Sequence, residues 1–408
     1  MHARLALVLT LSVLGLALAP SPSRAELWCA DPTWAHEWGV VVFQGGSGAR
    51  TAGPRLPAYF HGPSGTGAAS TMGPPVRELP VDGGERALPV LAFYTSGSWE
   101  PGPVGVEVGF RDGEATRWFP ELDARRTLAE VTSPAAIAER TRLLATRASR
   151  TYGSLPPTGR DPTRQLVWDR LELSRQPRHA PTSTTEAWVQ ALRDEPSALW
   201  VNRASASGGE SERFVFYEAR TREAPAITIE RGPTYAAGRR HLVLRNTSAH
   251  PVHDVLLVHR EDTRVFVLSV PTIGARASAG YVLEEHAVAA AELGTATRER
   301  LRSALVDPQA STPPTGHSWG GPNGCVMQRD PAIPFDHTSD HRLYAAEVAR
   351  VLGAWGPRFF DAPGTTLVYR EDVAQLDEVM PLAIHTDMYH HVELRRLGLA
   401  LVENVALP

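Results

Sequence analysis

The chain has 408 residues, with 41 basic and 45 acidic side chains and a formal net charge of −4 at pH 7. This weakly negative charge disfavours nucleic acid or an anionic membrane surface as a partner. The length is enough to bury a large core, and it predicts two or three domains. Every Lys/Arg position is arginine, a bias typical of bacterial genomes rich in G and C.

The N-terminus has the pattern of a secretory signal peptide. Arg4 supplies the positive start, and residues 5–19 form an almost unbroken apolar run that is too short to span a bilayer as a helix. Two cleavage sites have the required small residues. The site after Ala25 is favoured, because cleavage at the earlier site would place Pro20 directly after the cut. We therefore expect a mature chain that begins at Glu26, is periplasmic or secreted, and has no transmembrane segment.

Two cysteines are present, Cys29 and Cys325. In an oxidising compartment an even pair usually forms a disulfide, so export predicts a Cys29–Cys325 bridge. Closing so long a loop would stabilise the fold by roughly 5 kcal/mol in the chain-entropy model. The alternative is a pair of buried free thiols.

The first half of the chain predicts strands separated by long connections. Strands are expected at residues 38–43 and 88–95, on either side of a Gly-, Pro-, Ser- and Thr-rich segment, 44–75, that predicts a surface loop. Alternating apolar residues around the turn dipeptide Asp112-Gly113 predict a β-hairpin over 104–120. A helix and a further strand are then expected, at 134–150 and 166–173.

The middle of the chain predicts strands alone, recurring about every 12 residues with turn signals between them. This spacing is typical of a β-sandwich, and the pattern resembles the paired strands of immunoglobulin-like modules. The six strands are expected at 213–218, 226–230, 241–246, 253–260, 264–270 and 280–284.

The composition shifts after residue 286, where helices are expected at 287–305 and 340–355 and strands at 365–370 and 392–403. The predicted fold class is therefore mainly β, with immunoglobulin-like β-sandwich units and a smaller C-terminal α+β portion. The predicted division is a signal peptide at 1–25, an N-terminal β-rich domain at 26–195, an immunoglobulin-like sandwich at 196–286 and an α+β region at 287–408.

Histidines and carboxylates concentrate near the C-terminus. Imidazole and carboxylate ligands suit a divalent ion such as zinc, usually with ligands from two segments. The sequence therefore offers a metal site made of His337, His341, His385 and His390. The alternative is a group of surface histidines whose acidic neighbours favour a helix start.

Two other short motifs contain residue types that can take part in catalysis. His36 and Glu37 are adjacent on a predicted strand and should point to opposite faces, so Glu37 needs other partners to act as an acid or base. The alternative is a polar pair on an edge strand beside the core residue Trp38. A G-x-S-x-G match centred on Ser318 lacks the flanking strand and helix of a nucleophile elbow.

Several short runs resemble a family of uncharacterised exported bacterial proteins with an N-terminal His-Glu-Trp-Gly motif. They are His36-Glu37-Trp38-Gly39, residues 89–94, 118–120, 214–217 and 380–382. The resemblance implies an envelope or secreted protein and carries no catalytic residues over. The expected function is a binding or structural role in the cell envelope or outside the cell, toward an unidentified ligand. The alternative is a metal-dependent hydrolase that uses the C-terminal histidines.

Overall fold

The computed structural model describes most of the chain after residue 31. The described residues are 32–46, 53–62, 83–95, 101–111, 113–123, 150–154, 165–204, 208–233, 239–261, 264–289, 293–308, 311–313, 341–386 and 391–408. The predicted signal peptide, both cysteines and Ser318 lie outside these residues. The helix expected at 134–150 also lies outside them, except for its last residue.

A mixed sheet of nine strands forms the centre of the described structure. In spatial order its strands, numbered along the chain, are β15 (Ala287–Val288), β13 (Val265–Ile273), β12 (Val252–Arg260), β16 (Gly364–Glu371), β18 (His391–Glu403), β1 (Pro32–Gln44), β2 (Gly84–Thr95), β9 (Val215–Thr221) and β4 (Glu114–Phe119). The parallel pairing of β1 with β18 joins residues from opposite ends of the chain. The sheet takes strands from all three predicted domains, so the boundaries at 195 and 286 do not separate sheets.

Two smaller sheets pack on one face of the nine-stranded sheet. The six-stranded sheet contains, in spatial order, β5 (Arg150–Gly153), β17 (Leu382–Thr386), β3 (Val104–Gly109), β6 (Gln165–Ser174), β7 (Trp200–Arg203) and β8 (Glu210–Glu212). The three-stranded sheet contains β10 (Ile227–Arg231), β11 (His241–Asn246) and β14 (Ser278–Val282). Each encloses its own apolar cluster against the large sheet, which gives the layered sandwich character expected of this composition.

Helices cover the opposite face of the large sheet. They are α1 (Ala187–Arg193), α2 (Arg298–Leu305) and α3 (Ala345–Gly356), and their apolar residues join Trp38, Val40 and Val42 of β1 in one buried cluster. A fourth helix, α4 (Val373–Val379), packs against β18. No helix among the described residues has the length and apolar character needed to cross a membrane.

The mainly β fold class is confirmed, but one predicted pairing is wrong. Residues 104–120 do form two strands, yet β3 pairs with β6 and β17, whereas β4 pairs with β9 in the large sheet. The turn signal therefore marks a change of sheet rather than a hairpin. Burial explains the difference, since Val106 and Val108 fill the core under the six-stranded sheet while Phe119 packs on the helical side.

The predicted surface loop at 44–75 contains an ordered, packed segment. Leu56, Tyr59 and Phe60 lie against the helical side of the core, and the ring of Phe60 lies 4.5 Å from that of Phe216. His61 forms a two-way backbone bridge with Trp118 at the outer side of β4. This part of the segment therefore covers apolar surface, which its polar composition did not indicate.

Two glycines meet at the centre of the large sheet, where Gly39 of β1 is in register with Gly398 of β18. A Cβ at Gly398 would lie 2.6 Å from Glu371 Oε2 and 2.7 Å from Leu376 Cδ2. The missing side chain therefore makes room for α4 and for the Glu371 carboxylate. In contrast, a Cβ at Gly353 in α3 would meet no atom within 4 Å.

We expect Gly398→Ala to lower the free energy of unfolding by about 1–3 kcal/mol, because the new methyl group overpacks a buried site. The matched variant Gly353→Ala should raise it by up to about 1 kcal/mol, because alanine is the better helix former. Urea unfolding of both variants measures the effect. Equal stability of the two variants would contradict the close packing at Gly398.

Candidate functional site

The sequence motif residue Glu37 is the centre of a buried ionic network. Its carboxylate accepts hydrogen bonds from the Tyr217 hydroxyl and from Nε of Arg396. Arg396 also donates to Asp377 of α4 and to the carbonyl oxygen of Met380. The network thus joins β1, β9, β18 and α4 at one point in the interior.

Charge and burial act together on this network. Burial alone would lower the pKa of Arg396, but the carboxylates of Glu37 and Asp377 hold it above its ordinary value. Burial and the neighbouring Glu37 raise the pKa of Tyr217, so its hydroxyl keeps its proton and remains a donor. Arg396 is therefore a permanent cation, and Glu37 is surrounded by donors.

A second buried arginine lies on the same side of the sheet. Arg86 of β2 donates to both oxygens of Glu371 on β16, at 2.9 and 3.0 Å, and to both oxygens of Glu223. Burial raises the pKa of Glu371, while Arg86 opposes that rise. A contact in which a planar guanidinium binds both oxygens of a carboxylate sets the orientation of the two side chains and adds to the strength of the ion pair. Arg86 therefore links β2 and β16 across the strands between them.

A small cavity separates these two networks. It is lined by Glu37, Gly39, Val40, Arg86, Pro89, Leu376, Met380, Leu397 and Gly398. The centre of a water molecule can occupy about 10 Å³ of this cavity. This volume is room for about one water. The cavity therefore suits an internal water better than an organic substrate.

His36 faces the opposite side of β1, as the sequence predicted for adjacent strand residues. Its Nδ1 lies 2.7 Å from Glu347 Oε2, and Glu347 also accepts a hydrogen bond from the Tyr94 hydroxyl at 2.8 Å. The imidazole packs against the rings of Tyr94 and Tyr344. The edge-strand interpretation of His36 and Glu37 is wrong, because β1 lies between β18 and β2 and buries both side chains. The core position of Trp38 is confirmed.

The four histidines of the predicted metal site have different surroundings. His337 and His390 lie outside the described residues. Nδ1 of His341 accepts the backbone N–H of Arg396, whereas His385 contacts Thr151 and Glu107 on the six-stranded sheet. Within the described ranges, no group of three or more histidine, cysteine and acidic side chains is arranged to hold a metal ion. The four-ligand site therefore stays a prediction.

His385 belongs to a row of polar side chains that the sequence did not bring together. Thr151 and Gly105 are its direct neighbours in register on β5 and β3, and Glu107 lies two positions further along β3. Nδ1 of His385 lies 3.0 Å from Thr151 Oγ1, and Nε2 lies 3.3 Å from Glu107 Oε1. Gln165 of β6 donates to the other oxygen of Glu107 at 3.1 Å. We call the four polar residues Thr151, His385, Glu107 and Gln165 the Thr151 row.

Two members of this row carried a signal in the sequence. Glu107 is a polar position in the alternating run of β3, and His385 is a predicted metal ligand. Thr151 carried no signal, and nothing indicated that β3, β5 and β17 would be adjacent. Strand pairing between distant segments depends on the complete fold, so the row is visible only in the structure.

One further carboxylate is perturbed. Burial and the nearby Glu85 raise the pKa of Glu218 on β9 to about 8, although Arg117 and Arg220 oppose the change. Thr116 of the neighbouring strand donates to this carboxyl at 3.2 Å. Glu218 therefore keeps its proton to a higher pH than an ordinary glutamate, as expected for a carboxyl group that loses water on burial.

Comparisons with known proteins do not identify this chain. No family model matches it, and no curated protein matches it. A solved structure, the yeast delta-COP-I mu-homology domain complexed with a Dsl1 WxWxV peptide, aligns with 92% of this chain and 96% of its own length. The sequence identity is 7% and the TM-score is 0.27. At that level the likeness carries no argument about function.

We expect Arg396→Met to lower the free energy of unfolding by about 3–5 kcal/mol, because it leaves Glu37 and Asp377 buried without their cation. The control is Arg239→Met, which removes an exposed ion pair with Glu285 and should cost less than about 1 kcal/mol. Chemical denaturation of both variants measures the difference. A small effect of Arg396→Met would contradict the inference that Glu37 and Asp377 are left buried without a compensating charge.

Proposed function

We propose that this chain is an exported protein with a binding or structural role in the cell envelope or outside the cell. The proposal of export rests on the signal-peptide pattern at the N-terminus. The fold is compatible with cleavage after Ala25, because the described paired residues of β1 are 32–44. The cut would therefore leave all of these residues in the mature chain.

Export predicts that the protein recovered from the periplasm or the culture medium begins at Glu26. Expression in a bacterial host, followed by fractionation and N-terminal sequencing, measures this. Replacing Leu11 and Leu14 of the apolar run with arginine should keep the uncleaved chain in the cytoplasm. Recovery of the intact chain from the cytoplasm without these replacements would contradict export.

The observation that supports binding is the outer edge of β14. Leu283 N donates to Arg240 O, and Asn246 N donates to Ala277 O. These two bonds determine which residues of β14 direct their backbone N–H and C=O groups toward β11. The backbone N–H and C=O groups of Ser278, Gly280 and Val282 must then point away from β11. In this sheet β14 is the last strand after β11, and no other described strand pairs with its outer edge.

The chemistry of this edge favours an extended polypeptide as the ligand. Outward N–H and C=O groups can pair with the backbone of an added strand. Strand edges that avoid such pairing usually carry charges, proline or bulges, whereas β14 has the sequence Ser-Ala-Gly-Tyr-Val. We therefore assign the binding role to strand addition at β14, with a peptide segment of an envelope or extracellular protein as the partner.

A proline at Ser278 tests this assignment. Proline is tolerated at the first residue of a strand, and it removes an outward N–H that would bind the added strand. Extended peptides selected from a random display library on the purified protein should bind Ser278→Pro at least about tenfold more weakly, equivalent to the loss of one or two hydrogen bonds. Ser278→Ala should keep full affinity. Equal binding to all three proteins would exclude β14 as the docking edge.

A metal-dependent hydrolase remains the second candidate function. It is favoured by Nε2 of His385, which is buried, has no hydrogen-bond partner within the described part of the chain, and lies beside the Glu107 carboxylate. An imidazole nitrogen and a carboxylate oxygen are common zinc ligands. Elemental analysis of protein purified without a histidine tag distinguishes this candidate, because it requires about one equivalent of metal.

A further inference from the structure

The Thr151 row has the order of groups found in nucleophilic hydrolytic sites: a hydroxyl, an imidazole and a carboxylate. The geometry follows from strand register, since side chains directly opposite in an antiparallel pair share a face and diagonal neighbours remain within reach of long side chains. Thr151 and His385 are directly opposite, and Glu107 is diagonal to His385. Tyr152, Ile384 and Val106 point to the other face, into the core.

Solvent exposure decreases along the row from the hydroxyl-bearing residue to the carboxylate, as a nucleophilic hydrolytic site requires. Thr151 is exposed, the His385 side chain is 16% exposed and the Glu107 side chain is 5% exposed. The row therefore runs from an exposed threonine to a carboxylate that is shielded from water. Gln165 donates to one oxygen of Glu107, and the other oxygen lies 3.3 Å from Nε2 of the imidazole.

One imidazole tautomer fits both neighbours. With the proton on Nε2, Nδ1 accepts the hydrogen bond from the Thr151 hydroxyl, and the Nε2 proton lies on the side of Glu107. This arrangement leaves Nδ1 ready to take the threonine proton. The Nε2–Glu107 contact lacks hydrogen-bond alignment in this structure, and such contacts often tighten only when substrate is bound.

We propose that the Thr151 row is a hydrolytic site for carboxylic esters, with Thr151 as nucleophile and His385 as general base. Thr151 Oγ1 forms a bond to the ester carbonyl carbon while its proton moves to His385 Nδ1. The bond to the alcohol oxygen then breaks, and His385 returns the proton to that oxygen. Water attacks the acyl-threonine with His385 again as base, which releases the carboxylic acid and restores Thr151.

Glu107 and Gln165 act through His385 and are positioning residues in this scheme. Glu107 favours the Nε2-protonated tautomer and stabilises the imidazolium that forms during acyl transfer. Gln165 fixes the Glu107 carboxyl group. This activity is independent of the peptide-binding role assigned to β14, because the two rest on different sheets.

Covalent labelling tests the nucleophile directly. The full chain is treated with a fluorophosphonate, whose phosphorus should bond to Thr151 Oγ1 as fluoride leaves, and the adduct is located by peptide mass spectrometry. Hydrolysis of p-nitrophenyl acetate is measured in parallel. We expect an adduct at Thr151, and loss of the adduct and of hydrolysis in Thr151→Ala. Thr151→Ser should retain both, and His385→Gln should lower the hydrolysis rate about 100-fold or more.

The matched control is Thr228→Ala, which removes an exposed strand threonine on β10 and should leave labelling and hydrolysis unchanged. Circular dichroism checks that each variant is folded. In folded Glu107→Gln, kcat should fall while KM stays within about twofold, as expected for loss of transition-state stabilisation alone.

Three results would overturn the proposal. The first is no adduct at Thr151 in the folded wild-type protein. The second is labelling of Thr151 at an unchanged rate in His385→Gln. The third is hydrolysis that is abolished by a chelator in protein containing about one equivalent of metal, which would assign His385 to a metal site instead.

Discussion

The parallel pairing of β1 with β18 is the contact on which the rest of the fold depends. It places the two terminal segments of the described chain at the centre of the nine-stranded sheet, where neither has an exposed edge. Residues so far apart pair only after a long loop is closed, which costs chain entropy. The Glu37–Arg396 ion pair crosses this seam inside the core, so it joins the two strands by side chains as well as by backbone.

Buried charge is organised around that seam. Arg396 and Arg86 each contact two carboxylates, and both lie on the face that the smaller sheets and α4 cover. Such pairs contribute little net stability compared with apolar packing, but removal of one partner leaves an uncompensated charge. The networks therefore act mainly to fix which strands and helix meet. Gly398 supplies the space for Glu371 and α4, because a Cβ there would lie 2.6 Å from Glu371 Oε2 and 2.7 Å from Leu376 Cδ2.

In the six-stranded sheet, strand register aligns polar side chains on the face that points away from the core. Its inner face is apolar and packs on the large sheet, whereas its other face aligns Thr151, His385 and Glu107 across three strands. A shift of one residue in β17 would move His385 to the inner face and break the row. The apolar core under Ile384 therefore fixes the geometry of the polar groups on the opposite side.

The mainly β class and most strand positions could be predicted from the sequence, because alternation and turn residues are local signals. For example, β11 lies at residues 241–246 as expected. The sequence also predicted that His36 and Glu37 point to opposite faces of their strand. Which strands pair became visible in the complete fold alone. The complete fold places β3 and β4 in different sheets despite the turn signal of the Asp112-Gly113 dipeptide, buries β1 at the centre, and sets Thr151 beside His385. These outcomes depend on which apolar faces fill a common core, and that is a property of the whole chain rather than of any short segment.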